Sequence, residues 1–456
     1  VRPPSSWEID KAAFRQCELP VLGEGQENAA GCIYMQRQIL ERFLKSDGAK
    51  MRAPSWWGWR GFFKGNSRET GMDDLRIAWL VPSVELGAYW QPVLREFTKV
   101  YKNTIFYTGQ VWPGFDPAAP GASAIQLVGE TKFVETTKIK TGYDRGFIVV
   151  SPSIVGDLLK FKPDLIFAQA FSLWTVLAVL LQPIGRWRTV IIYDGSSPNT
   201  DFRDSGFRSF ARRILSRFAE AFVSNSKAGA KYLMEVLNAK PDRVFTRTYL
   251  VPDAETLLQR QDKSELPDLK LQHPIFLYVG RITQRKGIKT LLEACAILKN
   301  QGYCNYTLLI VGEGDQRPEL EVFIKERNIE DRVTWAGWVD YGHLGAYFSQ
   351  ADVFVFPTYE DVWGMVVPEA MVFGKPILCS KGAAAAELIE EGENGYIFDP
   401  HNPKELAHVL GILLDNPELI ASMGERSHQL IAKITPESAA QAFAEVASLV
   451  LRESVG

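Results

Sequence analysis

A chain of 456 residues, 46% of them apolar, is too long for one ordinary domain and too apolar to be disordered, so two domains, each with a full core, are expected. A net charge of -3 and a pI near 6.1 supply no global basic field and argue against nucleic acid as the main partner, whereas a small anionic ligand needs only a few placed cations. Cys17, Cys32, Cys295, Cys304 and Cys379 are odd in number and lack metal-ligand spacing, which points to a reducing, cytoplasmic setting rather than a disulfide framework.

Residues 1–71 lack a sustained hydrophobic period and carry the cluster Trp56-Trp57-Gly58-Trp59-Arg60-Gly61-Phe62-Phe63. A poorly structured extension is expected there, with Met72 a candidate natural start. The rival reading is an interfacial membrane anchor using those tryptophans. Over 72–253, short apolar runs at 77–81, 147–150, 164–168, 189–193, 221–224 and 248–251 alternate with helical patterns, the signature of βαβ units and a parallel sheet. The apolar stretch around Leu173–Leu181 ends at Gln182-Pro183, far short of the about twenty residues a membrane span needs, and reads as a buried helix. A helix over 207–222 carries Arg208, Arg212, Arg213 and Arg217 beside Phe210, Ile214 and Phe218. Either it is a plain solvated face or it makes a peripheral contact with an anionic membrane.

Residues 254–273 are polar and form the expected linker. A second α/β series follows over 274–430, with strands at 275–279, 307–311, 333–336, 352–356, 377–379 and 396–398, and a last helix from about Pro436 fills 431–456. Two doubly wound, Rossmann-like α/β domains facing a cleft are the result. Cys295 falls on the stripe Ile288, Leu291, Leu292, Cys295, Leu298 and reads as core, not chemistry.

In open parallel sheets, ligands bind beyond the carboxyl ends of the strands, and three such segments of the second half are informative. The first, Gly280-Arg281-Ile282-Thr283-Gln284-Arg285-Lys286-Gly287, can place Arg281 and Lys286 at one strand end, as a diphosphate requires. The structural alternative is a solvated basic loop. The second, Tyr359-Glu360-Asp361-Val362-Trp363-Gly364-Met365-Val366-Val367-Pro368-Glu369, leads into a short helix, because Pro368 is tolerated only in a first turn. Its start should lie close to Gly364, with Asp361 before it and Glu369 one turn inside. Carboxylates there can accept hydrogen bonds from vicinal diols, although Asp361 could equally cap the helix and Glu369 lie on its surface. The third, Gly312-Glu313-Gly314, is a tight turn as readily as a ligand contact.

Together, Gly-Arg-x4-Lys-Gly, Gly-x-Gly, Asp-x7-Glu followed by Ala-Met, then Lys381-Gly382 and Glu387, resemble glycosyltransferase family 4 from about Leu75 to the C-terminus. The resemblance implies a GT-B fold, a nucleotide-sugar donor, retention of anomeric configuration, and no metal or other cofactor. It implies that Arg281 and Lys286 neutralise the donor diphosphate and that Gly364 and Met365 offer amides to a phosphate oxygen. Glu369 would then hold the ribose, Asp361 the transferred sugar, and Gly312 and Gly87 would line the donor site. The terminal helix would cross back onto the first domain.

Two departures are visible. Asp361 stands where the family usually has Glu, with Glu360 adjacent as a substitute, and Gln169 stands where a histidine is usual. Asp194, in the loop Tyr193–Pro198, is a further acceptor-side candidate or a cap. The expected function is a hexosyltransferase using a nucleotide-sugar donor, with a sugar, lipid or small-molecule acceptor. The rivals are a silent sugar-nucleotide-binding module and a GT-B epimerase or phosphorylase.

Overall fold

The computed structural model describes residues 74–82, 87–112, 115–203, 205–259 and 271–452. The chain divides into Val1–Ser67 and Arg68–Gly456, and all described residues belong to the second unit. The expectations for residues 1–71 and the start at Met72 lie outside the described residues.

The first half contains β1 (Arg76–Leu80), β2 (Asn103–Thr108), β3 (Ile125–Leu127), β4 (Lys132–Thr137), β5 (Arg145–Val149), β6 (Leu165–Gln169), β7 (Arg188–Tyr193), β8 (Ala221–Ser224) and β9 (Val244–Thr246). The second half contains β10 (Ile275–Val279), β11 (Thr307–Val311), β12 (Val333–Gly337), β13 (Val353–Phe356), β14 (Ile377–Ser380) and β15 (Gly395–Phe398). Two parallel sheets result, ordered β3-β2-β1-β6-β7-β8-β9 and β12-β11-β10-β13-β14-β15. The central strands are buried on both faces, as helix-covered parallel strands must be, and therefore read as continuous apolar runs. In each sheet the strand order reverses beside the first strand, between β1 and β6 and between β10 and β13, which are the topological switch points where ligands bind.

The apolar run at 147–150 is not part of the first sheet. Its strand β5 pairs antiparallel with β4 in a separate two-stranded ribbon. The run at 248–251 is buried but lies beyond β9 rather than in it. It accepted a strand reading because apolar burial, not pairing, sets its composition.

The helices that position the cleft and its walls include α1 (Gly87–Val100), α2 (Leu173–Gly185), α3 (Gly206–Ser216), α4 (Ile288–Asn300), α5 (Val366–Val372) and α6 (Pro436–Arg452). The helix expected over 207–222 ends at Ser216, because Ala221–Ser224 enters the sheet as β8. The polar segment 254–273 opens with a helical turn, Ala254–Gln259. Cys295 on α4 is 2% exposed, and burial pushes its thiol up to about 12. No helix of the described residues is long and apolar enough to cross a membrane.

Helix α6 packs on the first domain. Phe443 lies 4.7 Å from Trp79, 5.3 Å from Phe167 and 5.2 Å from Tyr249 between ring centroids, and the Tyr101 hydroxyl donates to the Ala444 carbonyl at 3.5 Å. Edge-on aromatic contacts of this kind add to the area burial that holds the two halves together.

Candidate active site at the cleft

Two loops meet at the switch point of the second sheet, one after β10 and one after β13. Lys286 Nζ donates to Asp361 Oδ2 at 2.7 Å. Arg285 Nη1 donates to the Glu360 carbonyl at 2.7 Å and lies 3.4 Å from Asp361 Oδ2. Asp361 Oδ1 accepts from the Tyr143 hydroxyl and from the Trp363 amide, each at 3.2 Å. The Asp361 side chain is 10% exposed and that of Lys286 14%. Burial by itself would raise the Asp361 pKa, but the two cations outweigh it and hold the carboxyl below its usual range. Burial lowers the Lys286 pKa, with Asp361 working against it. Arg281 is exposed at the rim of the same loop, close enough to Lys286 to disfavour its charge further.

Glu360 faces the first domain rather than Lys286. Its Oε2 accepts from the Tyr143 amide at 2.9 Å and from Asn199 Nδ2 at 2.8 Å, and its Oε1 accepts from the Asn199 amide at 3.2 Å. The two adjacent carboxylates therefore divide. The Glu360 side chain bonds the first domain alone, whereas Asp361 anchors the cations of the second through Oδ2 and reaches the first domain through Oδ1 and Tyr143.

Glu369, on α5, is 1% exposed. Its Oε1 accepts from the Tyr89 hydroxyl of α1 at 2.9 Å and from the Tyr341 hydroxyl at 3.0 Å. Burial pushes its pKa up from 4.5 to about 7, with both tyrosines working the other way. It is thus no surface residue. Among the described residues its side chain is held by this pair of hydroxyl donors, the kind of donor that a carboxylate can also accept from a vicinal diol.

Helix α5 starts at Val366, with Met365 as its cap residue and Gly364 before it at φ 101°. Gly312 has φ 137°, and a Cβ there would fall 2.0 Å from the Gly280 carbonyl, so the Gly-x-Gly turn serves close backbone packing of the β10 and β11 loops. Gly87 is the first residue of α1, and the loop preceding it, 83–86, lies outside the described residues. Asp194 and Gln169 are brought together: Gln169 Nε2 donates to Asp194 Oδ2 at 2.5 Å, and the Tyr249 hydroxyl donates to Asp194 Oδ1 at 2.8 Å. Burial raises the Asp194 pKa, and those two donors oppose it. Glu387 Oε2 accepts from the Lys227 amide across the cleft at 2.9 Å, and Lys381 pairs with Asp399 at 2.7 Å on the surface.

Sequence reasoning missed Arg285, Tyr143, Asn199, Tyr89 and Tyr341. Arg285 was legible as a third cation in its loop. Tyr143 and Tyr341 come from segments with no motif of their own, Tyr89 and Asn199 from beside Gly87 and the Tyr193–Pro198 loop, and only the fold carries them to Glu360, Asp361 and Glu369. Among the described residues no cluster of three or more His, Cys, Asp or Glu is placed to hold a metal ion.

Residues 259–430 match the family of glycosyl transferases group 1. The matched segment contains Arg281, Lys286, Asp361 and Glu369. A further relative is the alpha-D-kanosaminyltransferase of Streptomyces kanamyceticus, 34% identical over 49% of this chain and 58% of that protein. Another is the D-inositol 3-phosphate glycosyltransferase of Pseudarthrobacter chlorophenolicus, 26% identical over 56% of this chain and 60% of that one. The chain thus spans less than two thirds of the length of these relatives. HepE of Anabaena, solved in complex with UDP, superposes with a TM-score of 0.62 at 18% identity, over 82% of this chain and 100% of that one. Sucrose-phosphate synthase of Thermosynechococcus elongatus superposes at 0.64 and 19% identity, over 83% and 100%. The architecture is GT-B, with the group 1 segment forming the second Rossmann-like domain.

Proposed function

We propose that the protein is a retaining, metal-independent glycosyltransferase that moves a hexose from a nucleotide-sugar donor to a sugar, lipid or small-molecule acceptor held by the first domain. The observation that carries the reading is the Lys286–Asp361 pair at the switch point of the group 1 domain, 2.7 Å apart, with Arg281 and Arg285 in the same loop. A departing nucleoside diphosphate gains negative charge in the transition state, and fixed cations in a site screened from water stabilise that charge without reorganising. In this reading Lys286 and Arg281 meet the diphosphate, while Asp361 keeps Lys286 oriented and exchanges Tyr143 for a sugar hydroxyl when the donor enters. Glu369 exchanges its two tyrosine hydroxyls for those of the ribose. The Glu360 clasp brings the domains together over the donor, which limits hydrolysis.

Support comes from relatives named as glycosyltransferases and from the HepE structure, whose ligand is UDP. The test is a thermal-shift screen of the full chain against UDP-, GDP- and ADP-sugars, followed by assay of sugar release and NMR of the product anomer. Stabilisation by one donor with slow release and a retained anomer is the expected result. Stabilisation without release, for any acceptor offered, selects the silent binding module, a reading favoured by the complete engagement of Asp361 in protein contacts. No stabilisation by any sugar nucleotide overturns both.

A further inference from the structure

Helix α3 leaves the loop that carries Asn199 and Asp201 and shows two unlike sides. Inward, it is fastened at several points. Ser209 and Ser216 are buried, Arg212 Nη1 donates to the Asp201 carbonyl at 2.8 Å and to the Tyr232 hydroxyl at 2.9 Å, and the Arg212 guanidinium lies over Phe171 at 5.2 Å. Outward, Phe207 is 63% exposed, Phe210 54% and Phe218, just past its end, 59%. Spacings of three and seven residues put Phe207, Phe210 and Ile214 on one stripe of a helix turning about 100° per residue, and Phe218 follows in the turn after it.

Three exposed phenylalanines on and just beyond one short helix form an apolar patch, which on a protein surface marks an interaction site. Arg213 and Arg217 are exposed along the edge of this stripe; Arg213 Nε donates to the Val236 carbonyl at 2.7 Å, which leaves its two terminal nitrogens for an anion. Ser205–Phe218 contains Arg208, Arg212, Arg213 and Arg217 and no Asp or Glu, although the whole chain is net negative at -3. Of these four arginines, Arg213 and Arg217 are the exposed ones and border the apolar face. A second copy of this chain meeting that face through a two-fold axis would bring arginine edges against each other, so self-association is disfavoured. A surface that accepts rings between headgroups and offers negative charge to flanking cations is an anionic bilayer.

We propose that α3 is a membrane-docking helix, which seats Phe207, Phe210 and Phe218 at the headgroup boundary of an anionic lipid surface while Arg213 and Arg217 contact its phosphates. The docking does not depend on the transfer reaction. It places the first-domain wall of the cleft, through Asn199 and its contact with Glu360, beside the bilayer.

The experiment is flotation of the full chain with vesicles of phosphatidylcholine alone or with a third of phosphatidylglycerol, with light scattering of the protein alone. Wild type should float with the anionic vesicles, remain behind with the neutral ones, and detach as salt shortens the Debye length. F207S/F210S and R217E should each weaken binding about tenfold with unchanged melting temperature, since the replaced side chains are exposed. Failure of wild type to float with the anionic vesicles overturns the proposal, as does flotation of both variants equal to that of wild type. Loss of a dimer in F207S/F210S would overturn it as well, by assigning the face to a second copy.

Discussion

Replacing Glu369 by glutamine separates the stability of this site from its function. The carboxyl is buried, and its pKa stands at about 7 against an ordinary 4.5. Because the folded protein holds this proton more tightly than the unfolded chain, ionisation subtracts from stability as pH rises from about 4.5, and the loss is complete once pH passes about 7. At about 1.4 kcal/mol per pH unit the penalty is about 3 kcal/mol. Glutamine keeps a carbonyl oxygen for the Tyr89 and Tyr341 hydroxyls and never ionises. E369Q and wild type should therefore melt together at pH 4, and E369Q should gain about 6 °C or more at pH 8, at about 2 °C per kcal/mol for domains of this size. Fluorescence-detected melting of both proteins across that range checks it, since all other titrating groups are common to the pair. The same change should weaken donor binding, because a charged acceptor for two ribose hydroxyls becomes a neutral one. A pH-independent difference between the two melting curves would refute the ionisation argument, and unchanged donor affinity would refute the ribose role.

Lys286→Ala should lower kcat/KM by about a hundredfold through loss of one preorganised cation, and a change under about threefold on a folded protein would remove Lys286 from the reaction. Tyr89→Phe should tighten donor binding about fivefold by calorimetry, because the ribose no longer competes with one hydroxyl for Glu369; weaker binding would make Tyr89 a donor ligand instead. Glu360→Ala should lower turnover at least about tenfold while leaving donor affinity within about twofold, since its three hydrogen bonds reach the first domain and not the donor loop. An equal fall in donor affinity would place Glu360 in the donor site. Gly195→Ala sets a Cβ 2.1 Å from the Val362 carbonyl and should hold the domains apart, so that transfer falls and the particle swells in small-angle scattering; unchanged scattering would show that the backbone yields locally.

The short strands of the second domain were legible because a parallel strand covered on both faces must be apolar throughout. Thr307–Val311 and the starts of Ile377–Ser380 and α4 at Ile288 follow directly from composition and punctuation. The loop after β10 was legible as one that carries Arg281 and Lys286 past a strand end, because glycines punctuate it on both sides, while a ligand site and a solvated basic loop stayed equally open. In the first domain the same rules faltered where an apolar run served another purpose, as β5 did in pairing outside the sheet.

Pairing of charges was beyond the sequence. Asp361 and Glu360 are neighbours of like type, and nothing in their order tells which turns to Lys286 and which to Asn199. Partners from residues 143 and 199 make that choice, and they lie more than 150 positions away. Chain order determines which side chains stand at the ends of strands, because periodicity and turn residues are local. Which of them touch, how deeply each is buried, and hence that Glu369 holds its proton near neutral pH, is decided by the packing of two domains, where contacts long-range in sequence set the local dielectric.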